Sequence, residues 1–247
     1  MIASLPMYAR PENRAAHDAL WALIRDGLRG RGLAAPDALE HDIDHVEGWG
    51  RPDLVLGQIC NLPYRARFRD RVTLIGAAHY DLPDCAPGQY YSVLIARTEL
   101  KDPFAARFVC NDLLSHSGYG AAQDWAQQNG FVLTPSEITG SHRASMAAVA
   151  SGQADLAAID AQTWWIAAQE DGVTDGLRIV GRTAASPGMS FITRPDQDPA
   201  PYFTAIAQAI HALDPAHRRT LNLCGIVALS QTAYDLPLPP IPQAIEA

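Results

Sequence analysis

Short apolar runs alternate with amphipathic segments along most of the chain, and this alternation constrains the fold more than any other feature. The segment Asn13–Arg29 places Ile24 and Leu28 on one face of a helix. Leu54–Cys60 and Val72–Ala78 are apolar runs of strand length. Strands that alternate with helices predict an α/β fold with a largely parallel sheet, because each crossover helix returns the chain to the same end of the sheet.

The alternation is interrupted once, which predicts two lobes. The segment Gln89–Thr98, QYYSVLIART, is β-branched and aromatic and predicts a long strand, after which the βα pattern restarts and later returns near TAASPGMSF. Residues 1–95 with 186–247 are expected to form lobe I, and residues 96–185 lobe II. Two hinge crossings between the lobes predict an interlobe cleft for a small ligand. The tail DLPLPPIP is expected to lie extended, since proline breaks helices.

Charge excludes several classes of function. The chain has 247 residues with a formal net charge of −8, and Lys101 is its only lysine. An acidic chain without a basic run is a poor nucleic-acid binder, so no nucleic-acid partner is expected. One lysine also disfavours Schiff-base chemistry, and the Gly-x-x-x-x-Gly-Lys phosphate loop is absent.

Targeting signals and cofactor motifs are not evident in the sequence. The start MIASLPMY has no basic segment before its apolar run, and no stretch approaches the roughly 18 apolar residues of a membrane helix. The sequence as written therefore predicts a cytoplasmic protein without membrane insertion, or a periplasmic one if a leader was removed. The four cysteines are scattered without a Cys-x-x-Cys pair, so neither a metal site nor a cofactor is expected.

Polar groups cluster where predicted strands end and helices begin. In the predicted lobe II these are the turn Ser115–Gly118, the turn Gly140–His142, and Asp160. In the predicted lobe I they are Tyr8 and the loop Asn61–Tyr64. Open α/β sheets bind ligands at the carboxyl ends of their strands.

Two interpretations of the turn Ser115–Gly118 stay open. Serine is a good N-cap and glycine suits turns, so the turn can be purely structural. The first turn of a helix also has free N–H groups and a partial positive charge, which together bind anions. Likewise, Asp160 either caps the next helix or receives an ammonium group of a ligand, and the two tyrosines either pack or bind. Recurrence of donors at three strand ends favours an anion site.

Three segments carry a resemblance to a known family: NDLLSHSGYGAAQDW, GSHRASMAAVASGQADLAAIDAQTWW and YYSVLIART. In these segments the chain resembles the phosphonate/phosphate-type solute-binding proteins of ABC transporters. The resemblance covers most of the chain from Ile2 to about Ala212. It implies the type II periplasmic-binding fold, with two α/β lobes, two hinge strands and an interlobe cleft.

The resemblance also implies a set of ligand-binding residues. Ser115, His116 and Ser117 would hold the phosphonate or phosphate oxygens, within a turn that Gly118 and Tyr119 complete. His142 would lie beside the anion, and Asp160 near an amine of the ligand. Tyr8 and Tyr64 would contribute from the opposite lobe.

Two functions of different classes follow. The first is binding of a small oxyanion without catalysis, either as the solute-binding component of an ABC transporter, with its permease as partner, or as a cytoplasmic sensor. The alternative is a biosynthetic enzyme on the same fold, of the menaquinone-pathway or pyrimidine-synthesis type, with His142 or His116 near Asp160 as the base. The sequence contains no Gly-x-Ser-x-Gly elbow and no metal-ligand spacing, so the binding function is expected.

Overall fold

The computed structural model describes residues 1–102, 107–170 and 172–240. The strands in these residues are β1 (Ile2–Ala3), β2 (Leu54–Ile59), β3 (Thr73–Tyr80), β4 (Gln89–Tyr90), β5 (Ser92–Arg97), β6 (Phe108–Cys110), β7 (Pro135–Ile138), β8 (Leu156–Asp160), β9 (Leu177–Arg182), β10 (Ser186–Pro187), β11 (Ser190–Thr193) and β12 (Leu223–Val227). The helices are α1 (Arg14–Arg29), α2 (His45–Gly50), α3 (Asn61–Pro63), α4 (Ala121–Gln128), α5 (His142–Ala150), α6 (Ala161–Glu170), α7 (Pro199–Ala212) and α8 (Pro215–Leu221). Two π-helical turns adjoin them, Tyr64–Phe68 after α3 and His116–Gly120 before α4. None of the helices in the described ranges is both long and apolar enough to cross a membrane.

The chain divides into two compact α/β units, and their boundaries differ from the predicted ones. Unit 1 contains Met1–Gln89 and Pro187–Asp235, and unit 2 contains Tyr90–Ser186 and the described residues from Leu236 onward. The first crossing therefore precedes Tyr90 instead of following residue 95, because β5 pairs with β8 and β9 inside unit 2. The two short strands β4 and β10, at the two crossings, pair with each other.

The tail was expected in lobe I, and this expectation is corrected as well. The described part of the tail, residues 236–240, belongs to unit 2. The hydroxyl of Tyr119, a buried residue of unit 2, donates to the carbonyl of Pro240 at 2.5 Å. Because proline nitrogen has no hydrogen to donate, the tail can be held mainly through its carbonyl groups. Ile241 and Pro242 of the predicted tail lie outside the described residues.

The sheet of unit 1 has the order β1-β2-β11-β3-β12. Strand β1 is parallel to β2, whereas β11 is antiparallel to both β2 and β3. It follows that β1, β2 and β3 all end at the same edge. The expected largely parallel sheet is wrong in this respect, because β11 brings the chain back to unit 1 in the opposite direction and inserts between two parallel strands.

Local chemistry accounts for how these elements begin and end. Strand β1 stops at Ala3, because the chain turns at Pro6. The predicted helix over 13–29 is confirmed as α1, which buries Trp21 and Ile24. It packs against α7 closely enough that a Cβ at Gly27 would lie 3.2 Å from the Cβ of Ala205.

The sheet of unit 2 has the order β7-β6-β8-β5-β9. Strands β6, β7 and β8 are parallel, and β5 is antiparallel to both β8 and β9. Phe108, Cys110 and Leu156 are buried in the core between this sheet and its helices. Burial raises the pKa of the Cys110 thiol to about 12. The three parallel strands end at one edge, and the candidate residues of this unit follow them.

At the opposite edge of this sheet, where β6 and β8 begin, an ion-paired carboxylate connects the strands. Asp155, directly before β8, accepts from Arg97 at 2.8 Å and from Arg107 Nε at 2.9 Å. Its carboxylate also accepts from the backbone N–H of Arg107 at 3.1 Å. Hydrogen bonds from Arg107, the largest cause, hold the pKa of Asp155 well below its usual range. The network fixes the starts of β6 and β8 and so supports the edge at which they end.

Candidate functional site

The site in unit 2 is built on the ends of three parallel strands. Asn111 follows β6, Thr139 follows β7 and Asp160 ends β8. The turns after β6 and β7 are tied together, since Thr139 N–H donates to Cys110 at 2.9 Å and Gly140 N–H donates to Asn111 at 3.0 Å. These backbone bonds set the two following helices side by side.

The turn Ser115–Gly118 is a helix cap, as one of the two interpretations predicts. Ser115 is the N-cap, and its Oγ accepts from the Gly118 N–H at 3.0 Å. The helix that starts at His116 continues without interruption through α4 to Gln128. It therefore presents at this turn the partial positive charge of a helix several turns long. Capping and anion binding are compatible here, because a cap satisfies only one of the free N–H groups.

Ser117 and His142 form the polar centre of the site. Ser117 Oγ lies 2.8 Å from His142 Nε2 and 3.3 Å from Ser115 Oγ. His142 is half-buried and is the first residue of α5, whose N-cap is Ser141. Burial lowers the pKa of His142 to about 4, and the nearby carbonyl of Ala158 opposes this shift. The imidazole is consequently neutral at pH 7, and the three side chains form a chain of neutral donors and acceptors.

Asn111 is a member of this cluster that the sequence reasoning missed. A Cβ at position 118 would overlap Asn111 Oδ1 and would lie 3.3 Å from His142 Cε1, so only glycine leaves room for the amide. Asn111 Oδ1 is buried and accepts no hydrogen bond in the described part of the chain. Rotation of the amide would present its Nδ2 donor at the same place. The signal in the sequence that could have identified Asn111 is its position as a polar residue directly after a buried strand.

His116 does not join Ser117 and His142. Its Nε2 lies 2.9 Å from Ser186 Oγ, and its ring centroid is 6.2 Å from that of Tyr90. The residue is buried, and it lines a cavity of about 360 Å³ together with Trp125 and Ser186. The middle residue of the turn therefore contacts the crossing strands and not the polar centre.

The other predicted residues of unit 2 have structural contacts of their own. Asp160 is 1% exposed, and its Oδ1 accepts from the Thr163 N–H at 2.9 Å, which caps α6. Tyr119 lies in the core of the unit with its hydroxyl on the carbonyl of Pro240. Asp160 lies at the same strand-end edge as Asn111, whereas Tyr119 packs in the core with residues of α4.

Tyr8 and Tyr64 both belong to unit 1 and are buried there. Tyr8 packs edge-on against Tyr80, with ring centroids 5.1 Å apart. Tyr64 packs in the same way against Tyr234 at 5.3 Å, and its hydroxyl accepts from Gln231 at 3.4 Å. Both rings contribute to the core of their own unit.

The geometry of unit 2 suits a tetrahedral oxyanion. Two serine hydroxyls, an imidazole and a helix N-terminus converge within hydrogen-bonding distance of one another. Helix N-termini bind phosphate-like anions through N–H groups and the macrodipole. Over the described ranges, no group of three or more His, Cys, Asp or Glu side chains is arranged to hold a metal ion.

Comparison with known protein families decides the class of the protein. Residues 64–235 match the family of periplasmic substrate-binding proteins of phosphonate ABC transporters. The chain belongs to this family. The predicted resemblance is thereby confirmed, and the match includes the turn Ser115–Gly118, His142 and Asp160.

Solved structures show the fold. The chain is similar to XAC2383 from Xanthomonas citri bound to ATP, with 16% identity, a TM-score of 0.69, and coverage of 94% of this chain and 92% of that one. It is also similar to PhnD1 from Prochlorococcus marinus in complex with methylphosphonate, with 16% identity, a TM-score of 0.67, and coverage of 95% and 94%. A third is PA3383 of Pseudomonas aeruginosa, a binding-protein component of an ABC phosphonate transporter, with 16% identity, a TM-score of 0.68, and coverage of 95% and 82%.

These findings confirm the predicted two-lobed periplasmic-binding fold and membership of a solute-binding family. They do not support the alternative of a biosynthetic enzyme. No curated protein sequence matches the chain significantly.

Proposed function

We propose that this chain binds a phosphonate- or phosphate-type oxyanion at the Ser115–Gly118 turn, without catalysis, as the substrate-binding component of an ABC transporter. The observation that carries the proposal is the Ser117–His142 pair at the start of a long helix, 2.8 Å between Oγ and Nε2. The family and the methylphosphonate complex of one structural relative support the ligand class.

Neutral donors explain how such a site can hold an anion without a lysine. Ser115 and Ser117 donate from their hydroxyls, the first-turn N–H groups add the helix dipole, and the Asn111 amide rotates to donate from Nδ2. Hydrogen bonds to a charged partner contribute about 1.5 to 3 kcal/mol each. Three or four such bonds together contribute about 5 to 12 kcal/mol before the entropy cost of association, and micromolar binding corresponds to a net of about 8 kcal/mol.

Partners and location follow from the family as part of the same proposal. The family is periplasmic, so the chain is proposed to work outside the cytoplasmic membrane and to deliver its ligand to the permease of an ABC transporter. A cytoplasmic sensor is the alternative, and it would use the same oxyanion site.

The test is titration calorimetry of the full chain with methylphosphonate. Ser117→Ala and His142→Ala should each weaken binding by roughly tenfold to a hundredfold, since the first removes a hydrogen bond to charge and the second removes the imidazole that orients the Ser117 hydroxyl. Ser151→Ala is the matched control: Ser151 Oγ donates to Ala148 at the far end of α5, so this change should leave the affinity within about twofold. Equal affinity in all three variants would remove the turn from the binding site.

A further inference from the structure

The polar centre of unit 2 contains a hydrogen-bond acceptor as well as donors. A neutral imidazole has one N–H group and one nitrogen lone pair. His142 Nδ1 is buried, and no described residue donates a hydrogen bond to it. The carbonyl of Ala158 lies near the ring and opposes the fall in its pKa, as an acceptor beside an N–H group does. Because Nε2 already faces Ser117, this carbonyl favours the tautomer with its hydrogen on Nδ1. Nε2 is then the acceptor.

The hydrogen bonds among the hydroxyl groups run in the same direction. The N–H of Gly118 can only donate, and it donates to Ser115 Oγ at 3.0 Å. The hydroxyl hydrogen of Ser115 can then donate to Ser117 Oγ at 3.3 Å, and that of Ser117 to His142 Nε2 at 2.8 Å. Bonds aligned in this way strengthen one another. The Ser117 hydrogen is therefore directed at the imidazole, and it must leave Nε2 before Ser117 can donate to an anion.

Charge favours a ligand with few negative charges. Asn111, Ser115 and Ser117 are neutral side chains, and burial lowers the pKa of His142 to about 4, so the imidazole is neutral at pH 7 as well. These four side chains offer a bound anion dipoles and no cation. Because desolvation of an anion costs more with each added charge, a protonated form of the ligand is easier to accommodate than a fully ionised one.

We propose that His142 Nε2 determines specificity by accepting a hydrogen bond from a P–OH group, so that the site selects an oxyanion that retains one O–H group. This inference rests on the proposed oxyanion function. The ligand hydrogen replaces the Ser117 hydrogen on Nε2, and the Ser117 hydroxyl then donates to another ligand oxygen. No proton is transferred. The ligand class is a hydrogen phosphonate or hydrogen phosphate, and sulfonates and sulfate, which have no such hydrogen at neutral pH, are disfavoured.

An oxyanion without a hydrogen loses one favourable contact whichever way it binds. If the Ser117 hydrogen stays on Nε2, the anion loses a hydroxyl donor. If Ser117 turns to the anion, the Nε2 lone pair faces solvent or an anionic oxygen with no hydrogen between them. Either loss removes the equivalent of one hydrogen bond at a charged group.

The first experiment is titration calorimetry of the full chain at pH 6 with methylphosphonate and methanesulfonate. The two ligands have the same shape, and at this pH, below the second pKa of methylphosphonate, both are mainly monoanions. Only methylphosphonate carries an O–H group. It should bind about tenfold to a hundredfold more tightly, the equivalent of one hydrogen bond to charge.

Variants of α5 test whether His142 causes this difference. His142→Ala should weaken methylphosphonate binding and leave methanesulfonate binding almost unchanged, so that the two affinities come within about threefold of each other. Ser151→Ala, at the far end of the same helix, should keep the ratio of the unchanged chain. A ratio that survives His142→Ala would assign the preference to the weaker acceptor strength of sulfonate oxygens and would overturn the proposal.

The second experiment reads the tautomer directly and needs no ligand. In the full chain with ¹⁵N-labelled histidine, two-bond ¹H–¹⁵N correlations of the His142 ring, assigned through His142→Gln, should place the hydrogen on Nδ1. A hydrogen on Nε2 would make this atom a donor and overturn the proposal.

Failure of this inference is distinguishable from failure of the proposed function. Equal affinities for methylphosphonate and methanesulfonate, both lowered by Ser117→Ala, would overturn the selection of a protonated ligand and leave the oxyanion site in place. Absence of binding by both ligands would overturn the oxyanion site and the selection together.

Discussion

Two turns of unit 2 have nearly the same local sequence and different roles. Ser115-His116 follows β6 and Ser141-His142 follows β7, and these strands are parallel neighbours. Each serine caps a helix by accepting from the N–H three residues later, Gly118 at 3.0 Å and Ala144 at 3.1 Å. By the rules of helix capping the two turns are equivalent.

Their surroundings make them different. Ser115 is 8% exposed, whereas Ser141 is exposed to solvent. His142 turns back to Ser117, whereas His116 contacts Ser186. A Ser-His pair at a helix start thus encodes only the cap. The packing of neighbouring strands decides which imidazole reaches the polar centre.

The largest expected effect comes from replacing Gly118, at the third helical position of the Ser115 turn, with the alanine that the Ser141 turn has at the same position. Gly118→Ala adds a Cβ that would overlap Asn111 Oδ1. Overpacking of this kind costs about 2 to 3 kcal/mol of unfolding free energy, despite the better helix propensity of alanine. Urea unfolding followed by tryptophan fluorescence measures the loss.

Two controls sharpen this prediction. Ala144→Gly, at the equivalent position of the second turn, should cost no more than about 1 kcal/mol, the propensity difference alone. Adding Asn111→Ala to Gly118→Ala should recover most of the loss, since it removes the overlapped amide. If the double variant were as unstable as Gly118→Ala alone, the Asn111 contact would not be the reason for the glycine.

The second-largest expected effect concerns the imidazole of His142. The pKa of His142 is about 4 in the folded chain, against about 6.5 in an unfolded one. Between these values the unfolded chain binds the proton preferentially, so stability that is complete above pH 6.5 is lost as the pH falls toward 4. Between pH 7 and pH 5 this amounts to about 2 kcal/mol of unfolding free energy. Chemical unfolding at pH 7 and pH 5 should show that the loss of unfolding free energy is smaller by that amount in His142→Gln than in the unchanged chain. An identical loss in both proteins would refute the neutral imidazole.

The smallest effect separates capping from binding. Ser115→Ala and Ser141→Ala should each cost about 1 kcal/mol of stability, because each removes one N-cap. Only Ser115→Ala should also weaken methylphosphonate binding, because Ser115 Oγ lies 3.3 Å from Ser117 Oγ in the polar centre. Calorimetric titration of both variants checks this difference. Equal losses of affinity would make the two turns functionally alike.

The sequence predicted the parts of this molecule that depend on local periodicity. The α/β alternation, α1, and the strand ends that carry Ser115, His142 and Asp160 follow from residues close together in the chain. The direction of β11 did not follow, because an antiparallel insertion depends on where a returning chain finds space between strands. The short β12 and the helices α2 and α8 were missed for a similar reason, since tertiary packing overrides weak local signals.

The candidate site shows the same limit at the level of single side chains. Ser117 and His142 were each predicted beside the same anion, and the structure places Ser117 Oγ 2.8 Å from His142 Nε2. His116 was predicted beside them, and its ring lies instead near Ser186 and Tyr90, since adjacent side chains of a helix point about 100° apart. Asn111 was missed because its role rests on contact with Gly118, seven positions later, which no periodic pattern records.

The burial of Cys110 has a consequence for redox chemistry. The thiolate is the form that reacts with oxidants and disulfides, and a pKa of about 12 leaves roughly one thiol in 100,000 ionised at pH 7. In an oxidising compartment, where free thiols are normally captured as disulfides, this cysteine stays inert. The strand that leads into the Ser115–Gly118 turn therefore tolerates oxidation without a protecting bridge. Cys224 on unit 1 is exposed to oxidants, although burial and the nearby Asp81 raise the pKa of its thiol as well.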